Sequence, residues 1–322
     1  MTDWRPTASP DALALRAGLY AYLRVFLAER GVLEVETPIA SRAGNTDANI
    51  DSFIATSPAP RANAQPLWLR TSPEFPLKRL LAAGVGDCYE LGRVFRYGEA
   101  GRRHNPEFTM LEWYRVGWDH RRLMDEVADL VVGALALVGR TLRVERMSYR
   151  DLFRQHAGVD PFTATNAELH DAVSEFGICS DGLARRDWLD LVLTHRIEPK
   201  FEADELRLVY DFPAEQAALA RVRHDDPPVA ERFEAWLGAF ELANGYHELA
   251  DATEQRERFQ RDHAIRTQRN AVLPPIDEPL LTAIAHGLPD CAGVALGVDR
   301  LLMAMLGTTS IADVIAFPLD RS

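Results

Sequence analysis

Cysteine is scarce in this chain of 322 residues: there are three, Cys88, Cys179 and Cys291, set far apart. With no C-x-x-C pair among them, neither a disulfide framework nor a zinc site is indicated, and each reads as a small buried hydrophobe. Long apolar runs are also missing. The longest, "LVVGALALVG" from Leu130, is about half of the ~20 residues that cross a bilayer, so no membrane partner is expected. The opening "MTDWRPTASPD" has neither the cationic flank nor the apolar core of a signal peptide, and the expected location is the cytoplasm. Positive charge is in deficit: 36 Lys and Arg against 48 Asp and Glu give a net charge of -12. That whole-chain balance leans away from a nucleic-acid-binding surface, which needs a local excess of cations. No internal repeat or low-complexity tract appears, and nothing forces a domain boundary. What remains is an ordinary globular composition, 47% hydrophobic and 26% charged, long enough to bury a full core as one large domain or two small ones.

Periodicity organises the rest. In "SPDALALRAGLYAYLRVFLAERG", Leu15, Leu19, Tyr22, Leu23, Phe26 and Leu27 recur at helical spacing, Ser9 can cap, Pro10 suits the first turn and Gly31 can end the helix. "VLEVETP" alternates Leu33 and Val35 with Glu34 and Glu36 and predicts a strand stopped by Pro38. A loop follows through "TSPAPRANAQP". Then come strand candidates "LWLRTSPE", "CYELGRVFR" and "FTMLEWYRV". In the last, a period of two puts Phe108, Met110, Glu112 and Tyr114 on one face. A helix is expected from His120 to about Gly139, and residues 148–198 read as mostly helical. "ELRLVYDFP" returns to strand, and "ERFEAWLGAFELANGYHEL" predicts a hairpin whose second arm carries Glu241, Asn244 and Glu248. Asp251 and Glu254 are spaced as a capping box for the next helix. "GVALGVDRLLMAMLG" passes from a glycine-broken strand into a helix that Gly307 can terminate. Strands clustered away from helices predict an antiparallel α+β fold rather than a βαβ series.

Four stretches carry candidate chemistry. In "RVFRYGEAGRRHNPEFTMLEWYR", Arg96 ends a strand pattern and Arg102, Arg103 and His104 follow a glycine-flanked turn. Guanidinium forks bind phosphate or carboxylate oxygens, although the charge pattern alone suits a solvated hairpin equally well. Arg300 stands at a helix start behind Gly293 and Gly297, which permit close backbone approach of a ligand. That pattern fits neither the P-loop nor the dinucleotide fingerprint and by itself is a packed helix start. Glu241 and Glu248 on one short arm suit Mg²⁺ held against phosphates, or else a salt-bridged surface. The "HEL" of His247 and Glu248 is no zinc-protease motif, because Asp251 occupies the position a second histidine would need. Ser72 and Glu74 lie in a Pro-flanked turn that is, taken singly, an ordinary loop.

Together and in this order, these stretches resemble the catalytic domain of class II aminoacyl-tRNA synthetases of the lysyl type. "GVLEVETPIA" is similar to the family's motif 1, whose Pro38 position lies at a dimer interface and so implies a homodimer. "FRYGEAGRRHNPEFTMLEWY" resembles motif 2, "GVALGVDRLLM" motif 3, and "ELANGYHEL" the substrate strand of the lysyl subgroup. The resemblance covers nearly the whole chain and implies an α+β fold, a class II synthetase-like antiparallel sheet flanked by helices. It also implies one catalytic domain over residues 1–322 with a mostly helical insertion at about 148–198. A lysyl synthetase carries an N-terminal anticodon-binding barrel, whereas here the first helix begins near Ser9 with no strand series before it. The likeness therefore narrows to the stand-alone paralogues, ligases that activate (R)-β-lysine with ATP and attach it to a lysine ε-amine of translation elongation factor P, with tRNA not expected as partner. "TSPE", "ELANGYHELAD", "PDCAGVALGVDRL" and "ADVIAFPLDRS" all fit them. A minimal tRNA-charging lysyl synthetase and a non-catalytic regulatory paralogue stay open as alternatives.

By position, the resemblance implies that Arg96 holds the α-phosphate and substrate carboxylate and Arg300 the γ-phosphate. Tyr97, Gly98, Glu99, His104, Glu241, Leu242 and Gly297 would complete the ATP site. Ser72, Pro73, Glu74, Asn105, Tyr114, Glu248 and Ala295 would line the amino-acid pocket, with Glu241 and Glu248 on Mg²⁺. There are two departures from the family pattern. The family usually has Glu two residues after the motif 2 arginine, contacting adenine, where this chain has Gly98; Glu99 is the available substitute. Lysyl synthetases have Gly where this chain has Ala295, a methyl suited to an amino group on the β carbon.

Overall fold

The structure is a computed structural model, and it describes residues 4–56, 65–178 and 182–322. Most of the loop expected after the first strands, residues 57–64, and Cys179 lie outside the described residues. The chain forms two compact units, Met1–Gly117 with Ala250–Ser322, and Trp118–Leu249.

The first unit opens with α1 (Pro10–Ala28), capped by Ser9, whose Oγ accepts the Ala12 N–H at 3.1 Å. Its buried stripe, Leu19, Leu23, Phe26 and Leu27, follows the sequence periodicity, and Gly31, at φ +71°, provides the left-handed residue that ends the turn. β1 (Leu33–Glu34) is shorter than the alternation predicted, and Leu33 is exposed. It pairs with the later strand Cys88–Phe95 over Leu33 and Glu34 alone, with the Val35 N–H donating to Tyr89 O at 2.9 Å. β2 (Ala40–Ser41), β3 (Ile54–Ala55) and β4 (Leu67–Leu69) make a small sheet in the order β2-β4-β3. Next come α2 (Glu74–Ala82), β5 (Cys88–Phe95) and β6 (Glu107–Val116).

The second unit begins with α3 (His120–Ala136) and β7 (Arg143–Ser148). The stretch expected to be helical holds α4 (Tyr149–Ala157), α5 (Asn166–Asp171) and α6 (Arg185–Val192). Their apolar faces enclose a core with Tyr149, Phe153, Leu189 and Val192 completely or almost completely buried. β8 (Glu205–Pro213), β9 (Val222–Arg223), β10 (Val229–Leu237) and β11 (Phe240–His247) follow. Within this unit β11-β10-β8-β7 are neighbours, with β9 on β10.

The chain then returns to the first unit with α7 (Ala252–Gln268), α8 (Glu278–Gly287), β12 (Cys291–Gly297) and α9 (Val298–Leu306). Asp251 caps α7 as expected, accepting from Thr253 and Glu254 N–H. The reciprocal half of the box does not form, since the Glu254 carboxylate turns to Arg258 at 2.5 Å. Gly307, at φ +67°, ends α9. β5 pairs antiparallel with β6 and β6 with β12, as the α+β expectation requires. The edge pairs β1–β5 and β7–β8 are parallel, so the arrangement is mixed. Among the described residues no helix is long and apolar enough to cross a membrane.

Candidate active site

In the first unit, several expected residues gather on β6. The two-residue period places Glu112 and Tyr114 on one face, and the tyrosine hydroxyl donates to Glu112 Oε1 at 2.8 Å. Ser72, in the turn before α2, donates from Oγ to Glu112 Oε2 at 2.5 Å. The same Oγ accepts the Glu74 N–H at 2.9 Å, so it serves in place of a side-chain cap at the start of α2, where Pro73 offers none. Ala295 stands opposite Glu112 in the β6–β12 register, and Gly293 opposite Tyr114. Glu112 is 2% exposed, and both hydroxyls are neutral donors. Glu74 Oε1 receives Lys78 Nζ at 2.6 Å, one helical turn along α2.

The sequence reading turned Glu112 with Tyr114 towards one cleft but assigned it no role. Its face was legible from the period of β6, but nothing local tells that Ser72 comes back across β6 from a segment 40 residues earlier.

The arginines of the same unit are placed by motif-length loops. Arg96 follows β5, lies 5.2 Å over the Phe108 ring, reaches Thr71 O at 3.4 Å and pairs with Glu99 at 3.6 Å. It thus borders the Ser72 turn with its charge only loosely engaged. Gly98 adopts φ +82°, a left-handed conformation that disfavours Glu, the residue the family pattern has there. Tyr97 is exposed and packs edge-on against Phe53. Arg300, in the first turn of α9, approaches His104 Nε2 at 2.6 Å; a guanidinium can only donate, so in this contact the ring nitrogen is the acceptor. The nearest atoms to a methyl built on Gly297 would be those of the Arg300 side chain, at 3.8 Å, an ordinary van der Waals contact. Asn105 does not join the Glu112 group. Its amide donates to Glu107 O at 2.7 Å and accepts Leu319 N–H at 2.9 Å, bracing the C-terminal segment.

Glu241, Leu242 and Glu248 belong to the second unit. The β10–β11 ladder shifts between Ala235 and Trp236, pairing Trp236 with Glu241 and Ala235 with Ala243 and passing over Leu242. Such a bulge re-aims neighbouring side chains and frees a backbone edge. Glu241 is half-buried, whereas Leu242 and Glu248 are buried. On β10, Glu234 pairs with Arg232 and accepts Trp236 Nε1–H at 3.1 Å. Burial pushes the Glu234 carboxyl up to about 7, with Glu241 adding to the rise against the pull of Arg232.

Among the described residues, His120, Glu231 and His247 have ligand atoms within 4.8 Å of one another. Glu231 already takes His247 Nδ1 at 2.6 Å and Arg223 at 3.3 Å, and Asp211 takes His120 at 3.1 Å. With its carboxylates engaged by arginine and histidine, the group is a buried polar network tying α3 to β8, β10 and β11, and it shares no residue with Glu241 and Glu248.

A family model described as tRNA synthetases class II (D, K and N) matches residues 1–321. The chain belongs to this family. Curated relatives called elongation factor P–(R)-beta-lysine ligase are similar along their whole length. The protein of Yersinia enterocolitica is 47% identical over 324 residues, 99% of this chain and 98% of its own. That of Salmonella gallinarum is 47% identical and that of Salmonella paratyphi B 46%, each over 323 residues, with the same coverage of both chains.

Proposed function

We propose that this protein is an ATP-dependent ligase that activates (R)-β-lysine as its adenylate and transfers the β-lysyl group to a lysine ε-amine of translation elongation factor P. What carries this reading is the Glu112 cluster. A carboxylate 2% exposed, oriented by Ser72 and Tyr114 and flanked by Glu74, is a place where a buried ammonium finds its partner charge. The substrate has two ammoniums, and the pocket has two acids at different depths. The deeper Glu112 takes the terminal ammonium, and Glu74, with a side chain 17% exposed, takes the one on the β carbon. Whole-length likeness to proteins named for that reaction supports the assignment.

In the first step a substrate carboxylate oxygen attacks the α-phosphorus of ATP. The bond from that phosphorus to the bridging oxygen breaks, and pyrophosphate leaves. Arg96 neutralises the α-phosphate and substrate carboxylate and Arg300 the γ-phosphate, so the contribution is positioning and electrostatic rather than covalent. Family likeness assigns Tyr97, Glu99, His104 and Gly297 of the first unit to the nucleotide. Glu241 and Glu248 offer the hard oxygen donors that Mg²⁺ prefers, and the ion when bound would supply charge neutralisation on the phosphates. In the second step the unprotonated ε-amine of the partner's lysine attacks the acyl carbon, AMP departs with the bonding pair, and the amine proton passes to solvent. No protein nucleophile is required.

Residues 1–322 serve as one catalytic domain with an inserted helical stretch, acting in the cytoplasm without tRNA. Val25 and Leu33, on α1 and β1, are more than half exposed and offer an apolar surface to a second copy in a homodimer; a monomer by light scattering at working concentration would count against it. The decisive assay is ATP/pyrophosphate exchange with Mg²⁺ across (R)-β-lysine, α-lysine and unrelated amino acids. Exchange should be strongest with (R)-β-lysine. A preference for α-lysine would favour a lysyl synthetase, and no exchange would overturn adenylation.

A further inference from the structure

Lys78 is 1% exposed, a rare state for an ammonium on a soluble protein's helix. Burying it costs free energy unless a carboxylate and good geometry offset the loss of water. Glu74 meets that need, at 2.6 Å and with the acid four residues N-terminal to the base, the favoured order on a helix. The pairing uses only Glu74 Oε1. No described residue donates to Oε2, and the side chain keeps some exposure. Glu74 is held from a second direction as well, since its N–H is fixed by the Ser72 Oγ that also binds Glu112. A carboxylate is thus anchored through one oxygen and through its backbone, with the other oxygen left open.

We propose that Lys78 is a positioning residue for amino-acid recognition, clamping Glu74 so that its open oxygen receives the ammonium on the substrate's β carbon. This rests on the adenylation reading above and deepens it. A buried lysine that merely filled space would affect all amino acids alike, whereas the clamp affects only those carrying the β-ammonium.

The test compares (R)-β-lysine with 6-aminohexanoate, the same chain without the β-amino group, in pyrophosphate exchange by wild type, Lys78→Met and Glu74→Gln. We expect Lys78→Met to raise KM for (R)-β-lysine roughly tenfold or more, the order of one lost charge-assisted hydrogen bond, with kcat changed by less than about threefold. KM for 6-aminohexanoate should stay within about twofold. Glu74→Gln, at a part-exposed side chain, should reproduce this selectivity, which keeps the test decisive where Lys78→Met folds poorly. Equal losses on both amino acids, or an unchanged ratio in Glu74→Gln, would overturn the clamp while leaving adenylation standing. Absence of exchange in wild type would overturn the adenylation reading and the clamp with it.

Discussion

Replacing Glu112 by Gln isolates the charge of the amine pocket from its shape. In the native arrangement Tyr114 donates to one carboxylate oxygen and Ser72 to the other. The amide keeps one acceptor and presents its NH₂ to the second hydroxyl, which can turn and accept. The fold therefore loses about one hydrogen bond's net worth, ~1 kcal/mol. The substrate loses far more. At a position 2% exposed, removing one member of a buried charge pair costs about 2–5 kcal/mol, a factor of about 30 to several thousand at ~1.4 kcal/mol per decade. Loss of ground-state binding raises KM, and any misplacement of the carboxylate lowers kcat as well. Pyrophosphate exchange over a wide range of (R)-β-lysine, with thermal unfolding measured in parallel, separates the two losses. A Glu112→Gln protein with kcat/KM within about threefold of wild type would refute the assignment of Glu112 to the substrate ammonium.

Ala295→Gly removes the methyl opposite Glu112 and should shift the ratio of kcat/KM for (R)-β-lysine over α-lysine by about tenfold towards α-lysine, the scale of one carbon in a pocket; an unchanged ratio sinks the idea. Gly98→Ala puts a β-carbon at φ +82° and should lower stability by about 1–2 kcal/mol in urea unfolding, with no change telling against that backbone conformation. Glu234 has its pKa raised by burial to about 7, so between the ordinary carboxyl range and about 7 the folded state binds more protons than the unfolded chain. Its contribution to stability is fully present below the unfolded pKa and is lost as pH rises through about 7. Urea midpoints of wild type should therefore fall more steeply over that window than those of Glu234→Gln, and parallel curves would contradict the assignment.

Much of the fold was legible because local signals agreed with one another. Ser9, Pro10 and the Leu19–Leu23–Phe26–Leu27 stripe define α1, and the alternation of β6 showed which residues share a face. What escaped was set by distant partners. β1 shrank because its pairing is an edge contact in which Leu33 stays exposed, and alternation cannot tell an edge from a centre. Glu254 fits a capping box by spacing, but Arg258 sits one turn on and its charge wins the carboxylate. Asn105 looked available in a motif loop, yet its amide is used by Glu107 and by Leu319, a residue 214 positions away. The Glu112 cluster needed the Ser72 contact, and nothing in "EFPLKRLLA" marks Lys78 rather than Arg79 as the buried base.

β6 explains why the pocket belongs where it is. Thr109, Leu111 and Trp113 turn one way and are nearly or fully buried, while Glu112 and Tyr114 turn the other. On the first side Asp299 accepts the Thr109 N–H at 2.6 Å and pairs with Arg16, which also holds Val314 O at 2.7 Å, and Tyr20 meets Thr109 Oγ1 at 3.1 Å. α1, α9 and the C-terminal segment thus fasten the strand from one face, and β5 and β12 flank it in the sheet. A strand fixed on three sides has little freedom to slide, so Glu112 on its other face is held in place, as the proposed discrimination between amine positions would demand. On the proposed assignment, discrimination would be coupled to packing away from Glu112: substitutions that loosen Arg16 or Asp299 should lower the preference for (R)-β-lysine without altering any residue assigned to the substrate.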